Sequence, residues 1–330
     1  MKQLLKVILV AATASIVAAC GGSDDEPTPG NLAQVATDGG FSALVAAADK
    51  AGLVPALADE TADLTVFAPT DEAFDALATS LGFVDASAMV EALDGATLAK
   101  ILSYHVLPTH QDAAAIVAGG ATQATLYNFP GDTPATLAVS TTSGVQLTDA
   151  AANVASVTTP DVLASNGVIH VIDRVLVPPG VLTVVQMAQT NTGFSVLVEA
   201  VVSAGLADDL SAAGPFTVFA PTDEAFVAAL GELGLTKEEL LASPSLGAIL
   251  TYHVVAGAVQ AADVVALPKP AAVATLNGAT FSVGADLGIT DGAGRIATLL
   301  ATDIVGSNGV IHVIDKVLLP TMSVASSVAM

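Results

Sequence analysis

The chain has no tryptophan, three tyrosines, one cysteine and nine basic residues among its 330. Each shortage removes something. Scarce aromatics leave few platforms on which bases or sugars could stack. Nine Lys and Arg stand against 32 Asp and Glu, for a formal net charge of −23. Sequence-independent nucleic-acid binding depends on basic side chains at phosphates, so no nucleic-acid partner is expected. Adhesion to anionic lipid through a basic patch fails for the same reason. The acidity reads as solubility, with weak, delocalised cation binding as the alternative. No D-x-D-x-D-G calcium-loop spacing occurs.

What is present begins with MKQLLKVILVAATASIVAAC. Lys2 and Lys6 form a positive start, and Val7 to Val17 is apolar or small. That run has the size of a signal-peptide core and is too short to span a membrane. Val17-Ala18-Ala19-Cys20 resembles a bacterial lipobox, in which the Cys is acylated and the chain is cleaved just before it. Cys20 is the only Cys and sits at the cleavage point. A lone Cys elsewhere would have no use in an oxidising compartment. Residues 1–19 are therefore expected to be a lipoprotein signal peptide, and 20–30 an acylated, flexible tether reaching ~35 Å. Several acyl chains on one Cys anchor stably. Gly21 in place of Asp is compatible with outer-membrane sorting. The expected location is the bacterial cell envelope, at the outer membrane or in the periplasm or cell surface.

The mature part repeats itself. TVFAPTDEAF stands at Thr65–Phe74 and again at Thr217–Phe226. GFSALVAAADKAGL at Gly40 matches GFSVLVEAVVSAGL at Gly193, and SNGVIHVID occurs at Ser165 and at Ser307. The order is the same in both halves, and the period is far longer than a solenoid unit, so each copy is a complete domain. The first is expected over 31–178, the second over 181–320, with 321–330 a tail. The Pro178-Pro179-Gly180 linker is short and stiff enough to restrict their relative orientation. YNFPGDTPA in the first copy replaces the Asn277-Gly278 turn of the second. Its Tyr127 and Phe129 are candidate partner contacts or pins for the loop.

Phe41, Leu44, Val45 and Ala48 follow helical spacing. In the decamer, Thr-Val-Phe-Ala favours a strand, Pro69 and Pro221 stop it, and Thr-Asp-Glu caps a helix. The decamer thus predicts a strand-to-helix corner. The uncharged run between Asp112 and Asp132 is broken by Gly119-Gly120, Asn128 and Pro130 and reads as loop and strand. Asn166-Gly167 and Asn308-Gly309 predict type I′ hairpins. VIHVID is apolar on both faces and predicts a central strand. His170 and Asp173 lie three apart in that strand, on opposite faces, so no Ser-His-Asp triad forms with Ser165. His105, His170, His253 and His312 are repeat-equivalent but lack metal-ligand spacing, and buried hydrogen-bonded networks are expected instead. No catalytic residue, metal or cofactor is expected.

With these motifs in order, the chain resembles the fasciclin-like domains. TVFAPTDEAF is similar to their first signature, Tyr-His to the middle one and SNGVIHVID with Val-Leu-x-Pro to the second. The resemblance implies an α+β fold: two tandem domains, each a two-sheet β-wedge or sandwich with helices packed along one side. It implies adhesion or extracellular interaction without catalysis, with a protein or matrix polymer as partner. In animal matrix members the Tyr-His region and an Asp-Ile pair are implicated in integrin binding. The matching positions here are Tyr104-His105, Tyr252-His253, Asp161-Val162 and Asp303-Ile304, the first Asp pair carrying Val in place of Ile. These are candidate contacts, with core support and a strand start as the alternative. Some algal fasciclin-like proteins hold carotenoids, which gives the second functional expectation, a binding protein for an apolar small molecule.

Overall fold

The computed structural model describes residues 28–266 and 268–321. The expected signal peptide, Cys20 and most of the expected tether and tail lie outside them. In the first copy seven strands occur: β1 (Leu64–Pro69), β2 (Val106–Leu107), β3 (Thr122–Asn128), β4 (Pro134–Ser140), β5 (Gln146–Thr148), β6 (Val154–Ala164) and β7 (Gly167–Ile172). The second copy contributes β8 (Phe216–Pro221), β9 (Val254–Ala256), β10 (Ala271–Ala274), β11 (Thr280–Val283), β12 (Ile289–Thr290), β13 (Ile296–Ala297), β14 (Leu299–Gly306) and β15 (Gly309–Ile314).

The decamer is the corner its residues predict. β1 ends at Pro69 and the helix Asp71–Ser80 begins at once, the Thr70 side chain accepting from the Ala73 amide. Asp71 and Glu72 lie in the first turn, where carboxylates favour the positive end of the helix dipole. β8, Thr222 and the helix Asp223–Leu233 repeat this arrangement. Phe74 and Phe226 drive each helix into a core.

The first-copy sheet runs β2-β1-β7-β6-β5-β4-β3. β7 is central, parallel to β1 and antiparallel to β6. Ile169 faces a helix-covered core with Leu44, Phe74 and Ile101; Ile172 faces a second core with Phe67, Tyr104 and Leu147. The strand is apolar on both faces because both faces are covered. β6 pairs with β5 through Val154–Ser156 and with β7 beyond it, so one strand joins the two arms. In the second copy the same place is broken at Thr298, leaving sheets β10-β11-β12-β13 and β14-β15-β8-β9. Asp173 accepts from the Ser156 amide at 2.7 Å, and Asp315 from the Thr298 amide at 2.6 Å. These aspartates pin the corner of each wedge.

Two expectations need correction. The hairpin is present, but Ala164 pairs with Gly167, so the two-residue loop is Ser165-Asn166 and not Asn-Gly. Gly167 begins β7 at φ 155°, against the Leu64 backbone, where a Cβ would collide. Gly306 and Gly309 pair in the same way. The run after Asp112 also contains a helix, Ala113–Ala118, before β3. The Asp112 side chain caps it, and four alanines with Ile116 suffice for one short helix.

One apolar cluster crosses the domain boundary: Ala151 and Val177 of the first domain pack with Leu182, Val184 and Met187 of the second.

Candidate functional site

Tyr104 closes the helix Gly95–Tyr104 and His105 caps it. Neither side chain reaches solvent, with 0% and 1% exposed. The Tyr104 hydroxyl donates to the Thr136 carbonyl at 2.9 Å. His105 Nδ1 meets the Ile101 carbonyl at 2.8 Å, and Nε2 accepts from the Leu176 amide at 2.9 Å. Those partners fix the neutral tautomer with the proton on Nδ1. Burial holds the imidazole down at about 4 and pushes the phenol well above its ordinary value. Tyr252 and His253 repeat the bonds, to Thr280, Ile249 and Leu318. The four Tyr-His side chains are core braces that tie helix to strand and to the segment after β7 or β15; a surface partner finds nothing of them to touch.

Asp161 and Asp303 are different. Both are exposed, at register shifts in β6 and β14, and both hold φ near +60°. The carboxylate of Asp161 accepts from the Ala113 amide at 2.8 Å, and that of Asp303 from the Ala261 amide at 2.9 Å. Their own amides donate to His170 and His312 Nδ1, whose Nε2 faces the carbonyls of Gln111 and Val259. Val162 is half-buried and Ile304 buried. The aspartates are therefore surface groups on a bulge that buried histidines support. His170, Asp173 and Ser165 do not converge: Asp173 bonds Ser156, and Ser165 donates to Glu60 at 2.8 Å. Among the described residues no three His, Cys, Asp or Glu groups gather as metal ligands, and no helix is long and apolar enough to cross a membrane.

Tyr127 and Phe129 hold the interdomain linker. The rings stack 6.3 Å apart, and Tyr127 stands edge-on to Tyr104. The Tyr127 hydroxyl donates to the Pro179 carbonyl at 3.1 Å. Phe129 covers Gly180, which has φ +71° and no room for a Cβ beneath the ring. From the other side, Gly180 donates to Val305 in β14 at 2.8 Å. The extra length of the first copy is spent on the linker.

A second interdomain contact escaped the sequence reading. Buried Asp149 accepts from the amides of Ala151, Asn153 and Val177, and from the Asn153 side chain. None of the ion pairs among the described residues includes it, and burial pushes its carboxyl up to about 6. Asn153 goes on to Thr190 in the second domain at 3.4 Å, Asn191 returns to the Ala151 carbonyl at 3.0 Å, and Arg174 donates to the Thr190 carbonyl at 3.3 Å. In the second copy Asp291 and Arg295 take these places, and Arg295 closes the corner on Asp291 and Glu232. Aligning Asp149-x-x-x-Asn153 with Asp291-x-x-x-Arg295 would have exposed the difference.

The second domain also has a cavity of about 260 Å³ between its two sheets, lined by Phe219, Val264, Val283 and Ile289 among others. Val259 and Val273 line it where the first copy has Gln111 and Gln123. In the first copy those amides bond each other at 3.2 Å, and Gln123 reaches the Ile116 carbonyl. Replacing the pair with two valines leaves the space open.

The fasciclin domain profile matches residues 39–178 and 192–320. Protein sll1483 of Synechocystis sp. is 44% identical over 146 residues, covering 43% of this chain and 75% of that one. Human periostin is 35% identical over 159 residues, 48% of this chain and 18% of periostin. Among solved structures, a FAS1 domain pair from the insect cell adhesion molecule fasciclin I aligns at 20% identity and a TM-score of 0.44, over 87% of this chain and 95% of that one. The two matched segments make up most of the chain, which belongs to the fasciclin domain family as a tandem pair.

Proposed function

We propose that this chain is a non-catalytic adhesion module, held at the bacterial envelope by an acylated Cys20, that meets a protein or matrix polymer through both domains. The observation that carries this reading is the duplicated aspartate bulge. Asp161 and Asp303 are exposed, conformationally restrained and equivalent in the two copies. A left-handed backbone at a non-glycine residue is sustained only where the surroundings fix it. Here a helix amide and a buried histidine do so on each domain. Two equal contact points raise avidity when both engage. The test is capture from native envelopes with the region after Gly30, beside the Asp161→Ala/Asp303→Ala double variant. Loss of the captured partner in the variant supports the reading; equal capture removes these aspartates from it. The anchor is tested separately, since a Cys20→Ser protein that still partitions with membranes would refute acylation.

The second-domain cavity favours a second reading, a site for an apolar small molecule. Native mass spectrometry of the purified protein should then show a co-purified lipid or pigment. Val259→Gln/Val273→Gln, which restores the amides of the first copy, should remove it. A bare protein mass from freshly purified material would count against this reading.

A further inference from the structure

Where the two domains meet, they enclose a cleft of about 180 Å³. A single buried water occupies about 15 Å³ by the same measure, so the cleft accepts a molecule the size of one monosaccharide. Its walls differ. Ala73, Ala76 and Leu77 of the helix Asp71–Ser80, with Val175, make an apolar floor. Asn153, Gln189, Thr190 and Thr192 supply amides and hydroxyls from both domains. Arg174 lies at this junction, half-buried, and Asp173 on the rim is already bonded to Ser156.

Arg174 is unusual for so acidic a chain. Its hydrogen bond in the structure is one 3.3 Å contact to the Thr190 carbonyl, although a guanidinium carries five donors. None of the ion pairs among the described residues includes it, whereas Arg295 has two carboxylates. Arg174 lines the cleft. A guanidinium fork matches a carboxylate bidentately, and desolvation beside an apolar floor strengthens the pair. The surrounding negative charge disfavours several anionic groups inside the cleft and admits a single one there. One carboxylate, several hydroxyls and an apolar ring face are together the chemistry of a sugar acid.

We propose that the interdomain cleft binds one uronate unit, with its carboxylate on Arg174, its hydroxyls on Asn153, Gln189 and Thr192, and its C–H face on the alanine floor. Recognition here needs no aromatic stacking, and the cleft residues named above include no aromatic side chain. The ligand would be a free sugar acid or the terminal unit of an acidic polysaccharide. The site goes beyond the adhesive reading, because its lining includes neither Asp161 nor Asp303 and it is tested without cells.

The test is amide-resolved NMR titration of the purified protein with D-glucuronate, glucose and acetate in parallel. Glucuronate should shift the amides of residues 153, 174, 190 and 192 and bind at least ~10-fold more tightly than glucose or acetate. Arg174→Gln should lower that affinity by ~10-fold, and Arg174→Lys, which keeps charge without the fork, by less. Thr192→Ala should weaken binding with Arg174 intact. A uronate trimer that binds once per chain end marks the polymer as source; binding of the monomer alone marks the free acid. Equal binding of acetate and glucuronate, unchanged affinity in Arg174→Gln, or no shifts at tens of millimolar glucuronate would each overturn the proposal.

Discussion

The buried histidines set how this protein responds to acid. Burial holds His105 and His253 near 4, below the ordinary 6.5, so the folded chain keeps them neutral where the unfolded chain protonates them. Their contribution is complete above about pH 6.5 and is lost as pH falls toward 4, by about 3 kcal/mol for each. Asp149 works the other way. Its folded value of about 6 exceeds the ordinary 3.8, so the folded state takes up that proton first and offsets roughly one histidine. The unfolding free energy should therefore fall by ~3 kcal/mol between pH 6.5 and 4, measured by urea denaturation across that range. A flat or rising profile would contradict the burial of the Tyr-His pairs. The sequence suggested core support for these residues and partner contact at once. The absence of metal-ligand spacing favoured the core. Only the placement of Ile101 and Leu176 around the ring decides it, and those partners lie four and 71 residues away.

At the scale of elements, the repeated turn after β6 and β14 does more than reverse the chain. Asn166 is buried; its Oδ1 accepts from the Leu32 amide and its Nδ2 donates to Leu57 and Asp59, so one side chain fastens two separate segments to the turn. Asn308 does the same with Val184, Leu210 and Ala212. Asn166→Ala leaves the buried Leu32 amide and the Leu57 carbonyl without partners, while the Asp59 carbonyl keeps the Ala62 amide, and should cost ~2 kcal/mol, read as a drop in the denaturation midpoint. A cost below ~1 kcal/mol would mean that water replaces the side chain. Much at this level was legible in the sequence. The strand-to-helix corner follows from Thr-Val-Phe-Ala, proline and a Thr-Asp-Glu cap, and the helix over Phe41–Ala48 from apolar spacing. Asn-Gly misled the register because Gly167 is required by the nearness of Leu64, a tertiary contact, and not by the turn. The helix Ala113–Ala118 was hidden by its brevity, since one or two turns leave almost no periodicity to read.

At the scale of the molecule, the first copy departs from the second where it meets its neighbour. The Tyr127-Phe129 hairpin grips Pro179 and Gly180, and Asn153 turns a self-contained corner outward to Thr190. The sequence showed the extra loop and the stiff linker but not that one holds the other, because Tyr127 and Pro179 are 52 residues apart. Phe129→Ala should loosen the pair without unfolding either domain. Small-angle scattering should then report a broader distance distribution, and calorimetry a separation of two unfolding transitions. Identical profiles for variant and parent would show that the hairpin does not set the domain arrangement. The proposed role is that of a lipid-anchored pair of fasciclin domains that makes cells stick. Attachment of cells to surface-immobilised matrix and to one another, compared among parent, clean deletion and Cys20→Ser strains, tests it most directly. Loss of attachment in the deletion, with the Cys20→Ser protein released from the membrane and equally inactive, is the predicted result. Unchanged attachment in the deletion strain would contradict the adhesive role outright.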